Sequence, residues 1–95
     1  EIAPLRYAFG VGPQGVNWEP HTVYIHSGNI IEQLENTIGL SRTLHVPLVD
    51  AYTPSKVVGE NAGKREFVNP SDGIHPSVVG HKFMAEKIAT TIELR

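Results

Sequence analysis

The chain contains no cysteine, so neither a disulfide framework nor a thiolate metal site can be built from it. It has no surplus of positive charge either: 8 Lys and Arg stand against 10 Asp and Glu, a formal charge of -2. That balance provides no basic field for nucleic acid and no polybasic patch for an anionic membrane. No apolar run approaches the roughly 20 residues that a membrane-spanning helix needs, and no leader pattern is read in these residues. Histidines spaced four apart are missing as well. His21, His26, His45 and His81, even with Asp50, match no common zinc spacing, so neither a metal nor any other cofactor is expected. What remains is an ordinary globular composition, 40% hydrophobic and 19% charged, in 95 residues. That suffices for one small domain at most, or for part of a larger one. The sequence opens on Glu1 rather than Met, as a processed product or a fragment would.

Periodicity divides the chain coarsely. Leu5 to Phe9 alternates apolar and polar residues in part, at strand length, before Gly10, Gly12, Pro13 and Gly15 impose a loop reaching Pro20. Trp18 is a candidate contact residue on that loop. Ile30, Ile31, Leu34 and Ile38 recur at helical spacing and predict an amphipathic helix over about 29–44. Asn29 or Ser27 would be its cap, and a start nearer His21 competes. Val46 to Tyr52 is rich in β-formers and reads as a strand with Pro47 at its beginning. A polar loop follows to Ser71. A last helix is expected over about 76–93, opened by Pro76, with Val79, Phe83, Met84, Ile88 and Ile92 as its buried stripe. A helix leading directly into an apolar strand is the cadence of an α/β protein with a parallel sheet. Such a sheet needs neighbouring strands and helices on both faces, and these residues provide about half of that. The expectation is therefore the carboxyl-terminal portion of a larger doubly wound domain.

The chemistry concentrates at Asp72 and His75, three residues apart on a loop rich in proline and glycine. A carboxylate at that distance can accept the Nδ1–H of the imidazole. That bond fixes the tautomer, leaves Nε2 free as a general base, and stabilises the imidazolium that then forms. The same pair can serve merely to staple the start of a helix, and spacing alone leaves both readings open. The nucleophile that such a pair would activate is missing. Ser27 lacks the glycine-flanked elbow that exposes a reactive serine and reads instead as a helix cap. Ser77 falls in the first turn of the last helix, where its hydroxyl would satisfy the backbone.

The run Asp72-Gly73-Ile74-His75-Pro76-Ser77-Val78-Val79-Gly80-His81-Lys82-Phe83-Met84-Ala85 resembles the closing block of the SGNH, or GDSL-type, hydrolase family. In that family an Asp-x-x-His-Pro element precedes a glycine and an apolar helix. The order of helix, Val-Pro-Leu-Val-Asp strand, polar loop and Asp-x-x-His turn is also similar, over about 29–94. The resemblance implies a three-layer α/β/α sandwich on a parallel sheet (the flavodoxin-like SGNH fold) with its amino-terminal half missing. Residues 1–95 would then be the carboxyl-terminal portion of one such domain. It further implies a serine esterase or lipase without a metal, acting on acyl esters or acetylated carbohydrates, with His75 as base and then acid and Asp72 as its orienting partner. The family's Gly-Asp-Ser block, its oxyanion-hole glycine block and its Gly-x-Asn-Asp block are all absent. An amino-terminal segment or companion chain would have to supply the serine, and the isolated chain is expected to be inactive. The alternative is a truncated, non-catalytic relative that binds a ligand or partner.

Overall fold

The computed structural model describes residues 1–93, and these fold as helices and loops without a sheet. Helix α1 spans Pro20–Thr43, a single turn α2 spans Tyr52–Ser55, a 3₁₀ turn spans Arg65–Phe67, and α3 spans Val78–Glu93. Extended pairing among the described residues is limited to two isolated antiparallel bridges, Lys56 with Gly63 and Val68 with Pro76. The expected α/β sandwich on a parallel sheet is thus not the fold. Val46 to Tyr52 has the β-branched composition of a strand, but composition does not supply a neighbour. No residue of 46–50 enters a ladder, and Val46 is 54% exposed. Leu5 to Phe9 likewise forms bends rather than a strand. No helix among the described residues is long and apolar enough to cross a membrane.

Helix α1 begins where the earlier of the competing starts placed it. Pro20 occupies the first turn, where no N–H is required, and the Glu19 carboxylate accepts the Thr22 N–H at 3.0 Å and its hydroxyl at 2.9 Å. Neither Asn29 nor Ser27 is a cap. The helix ends in a Schellman motif: His45 takes a left-handed φ of 55°, its N–H reaches the Arg42 carbonyl, and the Val46 N–H reaches that of Ser41 at 2.9 Å. Histidine tolerates that conformation better than most side chains. The buried face of α1 runs through Val23, Ser27 and Ile31, with Leu34 and Ile38 continuing it at partial burial.

Between the helices runs the segment Ile2 to Leu5, all of it buried. Ile2 and Leu5 join Phe67 and Val68 in one apolar cluster, against which Phe83 and Met84 of α3 pack. Ala3 joins Ile31 and Tyr52 in a second cluster against α1. The backbone of this segment is held on both sides, by Ala3 N–H donating to Ser55 Oγ at 2.7 Å and by Gly63 N–H donating to the Pro4 carbonyl at 2.9 Å. Gly63 admits no side chain, because a Cβ there would overlap the Ala3 carbonyl. Helix α3 packs on the 3₁₀ turn, where Phe67 and Phe83 stack at 4.4 Å. The rest of its expected stripe is not buried: Val79 is 53% and Ile92 63% exposed, and Ile88 is exposed as well.

Candidate active site

The loop joining the 3₁₀ turn to α3 is closed by its own backbone. The Val68–Pro76 bridge pinches its base, Asn69 N–H donates to the His75 carbonyl at 2.8 Å, and Ser77 N–H donates to the Phe67 carbonyl at 2.9 Å. Asn69 organises the interior: its carbonyl accepts the Gly73 N–H at 2.9 Å and its Oδ1 accepts the Ser71 N–H at 2.9 Å. Gly73 sits at φ 69°, and a Cβ there would overlap the Ala8 carbonyl, so only glycine satisfies both the conformation and the close approach. A second strap comes from the glycine-rich amino-terminal loop, whose Gln14 N–H donates to the Ser71 carbonyl at 2.7 Å.

This frame brings Asp72 and His75 together. Asp72 Oδ1 accepts the Ile74 N–H at 2.9 Å and the His75 N–H at 3.1 Å, while Oδ2 is bonded to His75 Nδ1. The carboxylate is mostly covered, its side chain 15% exposed, whereas the His75 side chain is 76% exposed. The bond to His75, followed by the backbone donor of Ile74, holds the Asp72 carboxyl down at about 2, against an ordinary 3.8. Asp72 is therefore an anion at any pH near neutrality, and it faces the Nδ1 side of the ring. With Nδ1 engaged, Nε2 is the nitrogen presented to an incoming group.

His75 also lines a cleft of about 460 Å³. Its other walls are Ile2 and Pro4 of the buried segment, Ile30 and Gln33 of α1, and Met84 of α3. The site thus consists of an oriented, outward-facing imidazole at the edge of a largely apolar hollow. It can accept and return a proton. Among the described residues it brings no hydroxyl to His75.

The hydroxyls of Ser27, Ser55 and Ser77 are occupied elsewhere. Ser27 is fully buried inside α1, where its Oγ accepts Arg6 Nε at 3.1 Å and lies 3.1 Å from the Arg6 and Tyr24 carbonyls. Ser77 caps α3, its Oγ donating to the Glu66 carbonyl at 2.6 Å and accepting the Gly80 N–H at 3.0 Å. Ser55 is spent on Ala3 and on the Tyr52 carbonyl. The remaining histidines do not converge. His26 is flanked by Trp18 and Phe9, with ring centroids at 5.0 and 5.5 Å, and His21, His45 and His81 are exposed. Among the described residues no three His, Asp or Glu side chains are grouped to hold a metal ion.

The roles of four residues, Asn69, Gln14, Met84 and Ile30, were not foreseen from the sequence. Asn69 carried a local signal, since Asn before Pro commonly starts a turn. The strap from Gln14 was announced only indirectly, by glycines at 10, 12 and 15 that allow backbones to approach. Met84 and Ile30 as cleft walls had no signal beyond their helical periodicity. Comparison of the chain with protein-family models, with curated proteins and with solved structures finds no match.

Proposed function

We propose that this chain supplies the acid–base half of a serine-esterase active site of the SGNH type. In this reading His75 Nε2 takes the proton of a serine hydroxyl as that oxygen attacks an ester carbonyl. The Asp72 anion stabilises the resulting imidazolium, which then returns the proton to the departing alkoxide. In the second half, Nε2 takes a proton from water, and the acid is released as the serine recovers its hydrogen. The serine and the oxyanion donors come from a segment or chain outside these residues. The substrate is an acyl ester or an acetylated carbohydrate, and no metal takes part.

The observation that carries the reading is the bond from Asp72 to His75 Nδ1 on a loop that leaves the far side of the ring open. The resemblance of residues 72–85 to the family's closing block agrees with it. A second reading, a non-catalytic module, draws on the other oxygen of Asp72. Oδ1 bonds two backbone N–H groups, a stapling role that needs no chemistry.

The two readings part in one experiment. The chain is assayed with p-nitrophenyl butyrate, alone and joined to the residues that precede it in its gene or to a copurifying chain. The proposal expects turnover only in the joined form and a loss on the order of 10³-fold or more in His75→Ala, with circular dichroism unchanged. Unchanged turnover in His75→Ala would leave the stapling role standing alone.

A further inference from the structure

We infer that the cleft beside His75 is a binding site for an apolar acyl chain longer than acetyl. The inference rests on the acid–base role proposed for His75 and narrows its substrate. The walls come from parts of the chain far apart in sequence, with Ile2 and Pro4 in front, Ile30 on α1 and Met84 on α3. Their side chains are carbon throughout, apart from one sulfur. The polar side chains on the lining are Glu1, Gln33 and His75. Of these, His75 is the reacting group, the Glu1 carboxylate serves only as an acceptor, and Gln33 is the one neutral amide side chain.

That composition discriminates between the two substrate classes. An acetylated sugar brings several ester and hydroxyl oxygens, each of which loses water on entering the cleft and needs a partner there. Besides His75, the side chains of the lining provide two such partners, the Gln33 amide and the Glu1 carboxylate, too few for that many oxygens. An acyl chain requires only contact with carbon and gains from leaving water. Size points the same way. The cleft of about 460 Å³ lies within the range of small-ligand sites, and it equals about fifteen times the share of one molecule in liquid water. An acetyl group would leave most of it unfilled. Because His75 forms part of the wall, a chain lodged among Ile30, Met84 and Pro4 would present its carbonyl end at the imidazole.

The test uses neutral, unreactive ester analogues, the methyl ketones from 2-butanone to 2-decanone, titrated into the 95-residue chain. Methyl and histidine-ring NMR signals provide the readout. Binding is expected to saturate, to shift the Ile30, Met84 and His75 resonances, and to tighten about three- to fourfold per added methylene until the cleft is full. Gln33→Trp, at an exposed helical position, should plug the cleft and weaken 2-decanone at least tenfold, while Gln33→Leu should strengthen it. If Gln33→Trp does not fold, the length series in the unaltered chain still decides. Affinity independent of chain length would overturn the inference. So would shifts centred on Val79, Ile88 and Ile92 of α3, or displacement of 2-decanone by lower concentrations of glucose pentaacetate. The two proposals fail separately. Ester turnover that survives His75→Ala sinks the base and leaves the length series standing, whereas a flat length series alongside His75-dependent turnover sinks only the acyl site.

Discussion

The loop over 68–77 and the stretch over 44–52 are similar in size but differ in how their polar and apolar groups are satisfied. In the loop, Asn69, Asp72 and the N–H groups of Gly73 to His75 find hydrogen-bond partners within the loop, Ser77 N–H reaches Phe67 just before it, and Ala8 and Gly12 pack closely against it. In the second stretch Leu44, Val46 and Val49 stand exposed, and the buried Tyr52 hydroxyl has no hydrogen-bond partner. One region satisfies most of its polar groups internally and is steadied from outside by the Gln14 and Ala8 backbone. The other has the composition of a buried strand without the neighbours that would bury it. Local polar geometry is therefore satisfied in the loop, while burial of apolar surface is incomplete in the second stretch.

The largest expected effect contrasts one backbone position with one side chain. Gly73→Ala places a Cβ against the Ala8 carbonyl at a left-handed φ and should cost roughly 3 kcal/mol, seen as a lower urea midpoint. Val46→Ser in the other region should change stability by no more than about 0.5 kcal/mol. Equal losses at the two positions would erase the contrast.

A smaller effect is expected at Tyr52. Burial pushes its phenol up to about 12, and the charges of Glu35 and Asp50 add to the shift. Glu35 acts here through charge, because none of its oxygens stands in bonding geometry to the phenol. Removing the orphan hydroxyl in Tyr52→Phe should stabilise the fold by about 1 kcal/mol at neutral pH. A raised phenol pKa favours the folded state fully below the ordinary value of 10, and that contribution is lost as pH rises through about 12. The natural chain should therefore weaken over pH 10–12 more steeply than the Phe variant, as followed by thermal melts. Parallel pH profiles would show that Tyr52 Oη is not isolated.

The smallest effect is a titration within the loop. With its carboxyl lowered to about 2, Asp72 contributes to the folded state above the ordinary 3.8, and this contribution disappears as pH falls through about 2. The ¹³C shift of the Asp72 carboxyl should accordingly show a midpoint near 2, with the Ile74 and His75 amide signals moving together with it. A midpoint near 3.8 would mean that the pair does not form in solution.

The same contrast explains what the residue pattern disclosed. The Asp72–His75 contact was legible because both partners lie within one turn, and turns are written in Gly, Pro and Asn. The start of α3 was legible to within two residues for the same reason. The sheet was misread because β-formers such as Val46 and Val49 report a preference, whereas a strand exists only with a partner beside it. Ser27 was misread as a cap because the helix already starts at Pro20 behind Glu19, which leaves Ser27 mid-helix and bonded to Arg6, 21 residues away. The Ile2–Leu5 segment gave no sign of its central place, since only Ser55 and Gly63 reveal it.

The threading of Ile2 to Leu5 between the two apolar clusters also sets an order of events in folding. Ala3 waits for Ser55, 52 residues later, and Pro4 waits for Gly63. Contacts across such separations close slowly compared with a helix or a local turn. The turn holding Asp72 and His75 can form as soon as its own residues exist. The Ile2–Pro4 wall of the cleft beside it, together with the Ala8 and Gln14 backbone that steadies it, can be set only when the front of the chain returns to meet the back. When the whole chain refolds from denaturant, the Asp72–His75 turn should thus close before the hollow it faces.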